Sequence, residues 1–568
     1  MNNVSTWMAR DPDPTTREEL QRLIDSNDQL ALEERFSARL AFGTAGLRGI
    51  VGAGPNRMNR LVIQETALGL GTYLLQQVDD AAAKGVVIGY DGRPDSKQFA
   101  TDAAVMLGSL GIHVYLTETV APTPVVAFSV RHLNAAAGVV VTASHNPPAY
   151  NGFKVYWGNG AQIIPPHDSG IAAQIDIAAQ APLPDLSLSQ IEPLGLLSLL
   201  GGAFYAQYRH AVNSSPFLSN HTAPEKVSIA YTAMHGVGAD LAETLLADAG
   251  FNQVYSVKAQ REPDGTFPTV NFPNPEEPGA MDMVIAEAKA HGATLACAND
   301  PDADRFAVAV RTEEGEYKML TGDQVGMLLG HYLLTRVTPN EALVGTTIVS
   351  SSLLEKIAKS VDAKYFQTLT GFKWLTNVAM EKETPEQPFV FAYEEALGYT
   401  VGTTVWDKDG LSALVAFAQL TAELAANGAT VWDRIEAIYR EHGLYLNAQR
   451  SIALQPGSPP IGDTLRAQPP STIAGRAVVR TDDLKTSQRI DAEGVIETID
   501  LPASDVLIYH LDDASRVVVR PSGTEPKLKC YYEVVEAMGH EDCLKHVQQR
   551  AEEAMADLIE KHQASLQG

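Results

Sequence analysis

Short runs of β-branched residues alternate with helical periodicity three times along this chain. That rhythm restricts the fold more than any other feature. In the first block, residues 86–91 read as a strand, 96–110 as a helix, and 112–116 and 138–142 as strands. In the second, 227–234, 253–257 and 294–298 read as strands, with helices at 239–249 and 281–291. In the third, strands at 343–349, 363–369 and 389–393 enclose helices at 352–360 and 372–381. The strand runs are apolar throughout, as for strands buried on both faces, so the alternation implies α/β units on largely parallel sheets. The C-terminal block departs from this pattern. Close-spaced strands at 506–511, 516–519 and 528–535 precede one helix at about 540–562, whose apolar stripe includes Cys543. That is an α+β module. Residues 182–198 and 455–470 are rich in Pro, Gly and Ser and read as surface loops or linkers.

At 568 residues the chain is too long for one core. Its 45% apolar, 20% charged and 7% aromatic content is that of soluble globular domains. With 43 basic against 69 acidic residues, the formal charge is −26, which opposes binding to nucleic acid or anionic membranes. The three cysteines, Cys297, Cys530 and Cys543, are scattered, so reduced thiols in a cytoplasmic protein are expected; Cys297 and Cys543 read as packing residues. Residues 1–19 are polar and lack an apolar h-region, and no apolar run reaches membrane-spanning length.

Several motifs sit at strand ends. Thr-Ala-Ser-His-Asn-Pro-Pro at 142–148 lifts one hydroxyl, Ser144, to the end of a buried strand, with His145 beside it and Lys154 downstream. A serine there can carry a covalent group, although the same residues also build ordinary turns. Asp300-Pro-Asp302-Ala-Asp304-Arg305 follows another strand. Carboxylates at i, i+2 and i+4 of an extended chain share a direction and suit a hard divalent cation. An EF-hand is excluded, because Arg305 and Arg311 stand where Gly and Glu are required. Arg520-Pro-Ser522-Gly523-Thr524 offers a guanidinium fork, hydroxyls and a close backbone approach, either as a phosphate cradle or as a plain hairpin. Weaker candidates are Arg48 in Gly43–Gly49, Lys373 at a strand-to-helix turn, and the paired carboxylates Glu394 and Glu395. Asp91-Gly92-Arg93 reads as a local ion pair and His235 as a structural histidine.

Taken in order, the serine loop, the DPDADR loop, the acidic strand end and the RPSGTEP loop resemble the α-D-phosphohexomutase superfamily. FGTAGLRG, YTAMHGVG, TLTGFKW and YEEALGY place the resemblance nearest its phosphoglucomutase branch, which also holds phosphopentomutase-like members. The resemblance spans residues 42–529. It implies four domains around a central cleft: three similar α/β domains with mixed sheets and a C-terminal α+β domain, with boundaries at 1–205, 206–320, 321–445 and 446–568. It further implies a phosphoserine at Ser144, and Mg²⁺ held by Ser144, Asp300, Asp302 and Asp304. Arg48, His145, Lys154 and Arg305 would be catalytic. Glu394 and Lys373 would meet the sugar phosphate, and Arg520, Ser522, Gly523 and Thr524 its non-reacting phosphate. Lys154, with His145 as competitor, would be the general base or acid.

The implied activity is that of an isomerase, an intramolecular phosphotransferase converting glucose 1-phosphate and glucose 6-phosphate through glucose 1,6-bisphosphate. Phosphomannomutase, phosphopentomutase and Mg²⁺-dependent sugar phosphatase activities are the alternatives. Partners would be small sugar phosphates, without nucleic acid or membrane, in a cytoplasmic monomer or weak homodimer. Two departures bear on the choice of sugar: Ala396 stands where many relatives carry a serine, and Leu397 is an extra residue.

Overall fold

Val86–Tyr90 and Ala137–Val141 are buried at every position and run side by side in parallel. They form the middle of a six-stranded sheet in the order Leu47–Ile50, Tyr150–Trp157, Ala137–Val141, Val86–Tyr90, Val114–Thr117, Leu197–Leu200. The first two strands of that order are antiparallel to their neighbours, so the sheet is mixed. Helices Arg60–Gln77 and Ser96–Ser109 pack their apolar residues into the same core. The structure is a computed structural model and describes residues 2–338, 340–453, 461–521 and 527–567.

The second sheet runs Tyr317–Met319, Phe306–Arg311, Leu295–Asn299, Ile229–Thr232, Val254–Ser256, and is also mixed. In the third, Leu343–Thr347 lies between Lys364–Thr368 and Phe389–Glu394, all parallel. The C-terminal sheet is antiparallel, with Lys527–Glu536 between Leu444–Ala453 and Arg516–Pro521. Helix Leu544–Gln567 buries Met555, Leu558 and Ile559 against Val517, Val519 and Tyr532 of that sheet. The expected α/β blocks and the terminal α+β module are therefore present. The described chain divides into two compact units, Met1–Leu320 with Leu397–Asn427, and Thr321–Ala396 with Gly428–Gly568.

Three expectations need correction. Residues 182–198 are not all loop: Leu188–Ile191 is helical, and the strand Leu197–Leu200 begins inside the segment. Pairing with Val114–Thr117 gives that strand backbone partners, which overrides a turn-rich composition. Within 455–470, Ile461–Ala467 is a helix held by Arg466, which donates to Asp483 and Asp505; residues 455–460 lie outside the described residues. The last helix starts at Leu544, and Cys543 is exposed rather than packed. Arg440 ties down the carbonyls of Gly539, His540 and Asp542, which keeps that stretch in a turn.

Candidate active site

Ser144 follows the buried strand Ala137–Val141 and sits in the left-handed region at φ 52°, uncommon for a residue with a side chain. Thr142 Oγ1 accepts from the Ser144 N–H at 2.8 Å and donates to Asp91 at 2.7 Å, which fixes the turn. Ser144 Oγ donates to Asp300 Oδ2 at 2.8 Å and lies 3.2 Å from His145 Nδ1.

Asp300, Asp302 and Asp304 are fully buried, and one carboxylate oxygen of each lies within 4.8 Å of the others. They converge for a reason the sequence reading did not supply. The segment is not extended. It is the turn joining the antiparallel strands Leu295–Asn299 and Phe306–Arg311, with Ala303 left-handed at φ 59°. Lys154 projects from the first sheet, opposite Val140 in register, and its Nζ reaches Asp302 at 2.6 Å and Asp304 at 2.9 Å. Thr123, at the start of helix Thr123–His132, donates to Asp302 Oδ2 at 2.6 Å.

The local electrostatics follow from this packing. Burial pushes the Asp300 carboxyl well above its ordinary range, and the charges of Asp302 and Asp304 add to that. Burial opposes ionisation of Asp302 as well, but the Lys154 ammonium outweighs it and holds that carboxyl low. Burial disfavours the charge on Lys154, yet Asp302 and Asp304 raise it above its usual value, so it keeps its proton. His145 is pushed down to about 2 by burial and by the Arg305 and Arg48 charges, so it is neutral.

Asp302 Oδ1 and Asp304 Oδ1 are buried and accept no hydrogen bond among the described residues. An all-oxygen set with two unsatisfied carboxylate oxygens fits a hard divalent cation such as Mg²⁺. Arg305 borders the turn, its backbone N–H donating to Asp300 at 3.0 Å. Arg48 is exposed and donates to Asn146 at 3.3 Å.

Lys408 was missed by the sequence reading. Its Nζ lies 3.3 Å from Asp304 and 3.6 Å from Asp407, and it is almost fully buried. Asp407 in turn accepts from the Tyr156 hydroxyl at 2.5 Å and from Gln162 at 2.9 Å. Its one sequence signal is a charged run, Asp407-Lys408-Asp409, immediately before a long apolar helix. His235 Nε2 lies 2.7 Å from Thr269 Oγ1.

In the second unit, Glu394 ends the strand Phe389–Glu394 and accepts the Gly371 N–H at 3.1 Å. Gly371 caps helix Phe372–Lys382, which carries Lys373 in its first turn, so Glu394 occupies a favourable helix N-terminus. Glu395 accepts from Ser350 at 2.8 Å and is pushed up to about 8 by burial and then by Glu394 and Asp323. Tyr531 contacts Arg520 through its hydroxyl and feels the charges of Glu394 and Glu395. The structure therefore brings Glu394, Lys373 and Arg520 into one unit; Ser522, Gly523 and Thr524 lie outside the described residues. Leu397 is buried and left-handed at φ 62°.

Four family models match in order: the phosphoglucomutase/phosphomannomutase α/β/α domains I, II and III at residues 39–181, 206–315 and 321–442, and the C-terminal domain at 477–547. Over 96% of this chain and 95% of its own length, a Schizosaccharomyces pombe protein named a probable phosphoribomutase is 38% identical. Human phosphopentomutase is 36% identical over 95% of this chain and 92% of its own. A Staphylococcus haemolyticus phosphoglucomutase is 35% identical over 89% and 92%. Among solved structures, parafusin, a Paramecium phosphoglucomutase, shares the fold with a TM-score of 0.70 at 17% identity, covering 93% of this chain and 96% of its own. The chain belongs to the phosphoglucomutase/phosphomannomutase family and is an isomerase of the mutase type, acting on sugar phosphates.

Proposed function

We propose that this mutase moves a phosphoryl group between C1 and the terminal hydroxyl of an aldose monophosphate, with Ser144 carrying the group between the two. The observation that carries this reading is the Ser144 hydroxyl bonded to a buried aspartate triplet that retains two unsatisfied oxygens. Asp300, Asp302 and Asp304, with an oxygen on Ser144, would hold Mg²⁺. When bound, the cation supplies positive charge to the oxygens of the transferring phosphoryl group.

The chain's own residues do the rest. Lys154, held between two carboxylates, gives a proton to the departing Ser144 oxygen as the attacking sugar hydroxyl gives one up to the same site, so that no proton is gained or lost. Neutral His145 orients the serine oxygen from 3.2 Å. Arg48 and Arg305 meet the phosphate on the reacting side. Glu394 accepts from sugar hydroxyls, and Lys373 and Arg520, with Ser522, Gly523 and Thr524, take the other phosphate. A bisphosphorylated sugar must then turn end for end before it rephosphorylates Ser144. Among the described residues, no helix is long and apolar enough to cross a membrane; a cytoplasmic location is part of this proposal.

The glucose 1-phosphate/glucose 6-phosphate pair is the expectation from the sequence motifs. The ribose 1-phosphate/ribose 5-phosphate pair has a specific observation in its favour: the pentose and ribose mutases named above are slightly more identical to this chain than the glucose mutase. Coupled assays with ribose, glucose and mannose 1-phosphates, each with its bisphosphate, rank the sugars by kcat/KM. No isomerisation of any of them removes the proposal. Ser144→Ala is expected to lose at least about a thousandfold in kcat and to lose a phosphate from the intact mass of the isolated protein.

A further inference from the structure

The guanidinium of Arg93 is buried, at 4% exposure for the residue, and faces a row of carbonyl oxygens. Its Nη2 donates to Ser144 O at 2.9 Å and Asn146 O at 2.7 Å, and its Nη1 to Pro147 O and Tyr150 O, each at 2.8 Å. Its Nε donates to Asp91 Oδ2 at 3.2 Å. These four carbonyls span the turn that presents Ser144. Asp91 grips the start of the same turn, accepting from Thr142 Oγ1 at 2.7 Å, and accepts from Ser96 Oγ at 2.6 Å. The expected local ion pair is thus a clamp on both ends of the serine loop. Only a planar fork of donors can serve four carbonyls at once; an ammonium offers three donors from one point.

The clamp is itself held from the second sheet's domain. The Phe267 ring lies 5.1 Å from the guanidinium carbon. Phe267 is buried and left-handed at φ 48°, a conformation unfavourable for a bulky residue that persists only where the surroundings enforce it. Gly265 approaches so closely that a Cβ there would lie 2.4 Å from Arg93 Cα, and one on Gly92 would lie 2.9 Å from Pro263. Residues 92 and 93 are thus packed tightly against Pro263 and Gly265.

We propose that Arg93 is a positioning residue for phosphoryl transfer. With Asp91 it holds the turn at 144–150 so that Ser144 Oγ stays on Asp300, and Phe267 locks the guanidinium in place. Arg93 touches no reacting atom. Its role rests on the reading of Ser144 as the phosphoryl carrier.

Arg93→Lys tests this, with Arg60→Lys as the stability control, since Arg60 forks onto Asp102 with two 2.8 Å bonds away from the loop. Arg93→Lys is expected to lose about a hundredfold in kcat while KM stays within about threefold, because displacing a reacting group by about 1 Å costs that much. Rephosphorylation of Ser144 by glucose 1,6-bisphosphate, followed by intact mass, slows by the same factor. Arg60→Lys loses comparable thermal stability and keeps kcat. A folded Arg93→Lys with wild-type kcat overturns the proposal. Should that variant not fold, Phe267→Leu decides: a several-fold fall in kcat at constant KM supports the clamp, and unchanged kcat overturns it. Ser144→Ala separates the two readings, because substantial activity there removes the phosphoserine itself, whereas an inactive Ser144→Ala beside a fully active Arg93→Lys removes the clamp alone.

Discussion

Ser144, Asp300, Asp302, Asp304 and Lys154 are each no more than 6% exposed, whereas Glu394, Lys373 and Arg520 all keep part of their surface in solvent. The first set lies in one compact unit and is cross-braced by short hydrogen bonds from Thr123 and Lys154 to Asp302 and from the Ser144 N–H to Thr142. The second lies in the other unit. The contrast fits the two tasks proposed for these sets. Charge that develops on a transferring phosphoryl group is best met by groups already fixed in place, since reorganising them during the reaction would raise the barrier. A sugar that turned end for end, as proposed, would need partners able to accept more than one pose. Rigidity also has a local source in the second unit. The buried pair Arg516–Glu533, with Arg516 donating to Ile348 O and Ser350 O and Ser352 donating to Glu533, bolts the third domain's loop to the C-terminal sheet.

After Ser144→Ala, the largest effect should come from the cations that brace the fixed set. Lys408→Met removes a cation 3.3 Å from Asp304 and leaves buried negative charge uncompensated. A fall of about a hundredfold in kcat is expected, with little change in KM. If steady-state kinetics instead show a pure KM effect, the division of labour between the two units fails. Glu394→Gln should do the opposite and raise KM about tenfold with kcat within about threefold. A loss of kcat as large as that of Lys408→Met would place Glu394 among the chemical groups.

The smallest effect on turnover should come from Asp323→Asn, which probes the braces of the second unit. Burial raises the Asp323 carboxyl to about 6 from an ordinary 3.8. Between these values the folded protein binds more proton than the unfolded chain, so its contribution to stability falls as pH rises through the window. Both of its hydrogen bonds, from the Tyr393 hydroxyl at 2.9 Å and the Ser351 N–H at 2.7 Å, end on Oδ1, which an asparagine retains. Asp323→Asn should therefore be more stable than wild type by about 3 kcal/mol at pH 7, with the gap closing towards pH 4. Equal denaturation midpoints at both pH values would show that the site ionises freely.

Much of this was legible in the residues. Continuous apolar strands and amphipathic helices specify α/β units locally, and Val86–Tyr90, Ser96–Ser109 and Phe389–Glu394 lie within a residue or so of where periodicity puts them. Ser144 and the aspartates stood out because strand ends expose reactive groups. Other features left little local signal. Asp-Pro-Asp-Ala-Asp looks like an extended triplet, but its carboxylates converge through a turn between antiparallel strands. Lys408 comes far along the chain from Asp304, and Arg93 resembles any neighbour of Asp91. No short window contains the partners that give either its role.

The sequence alone determined the element types, their order and the chemical kinds of group available: a hydroxyl, three carboxylates, and arginines and lysines at strand ends. Those are properties of neighbouring residues, set by periodicity and by which side chains follow a strand. Tertiary structure alone decided which cation meets which carboxylate, which oxygens stay unsatisfied and which turn Arg93 holds. Those depend on sheet order and close packing, where a contact forms between residues far apart in the chain only if the whole core places them within hydrogen-bond reach.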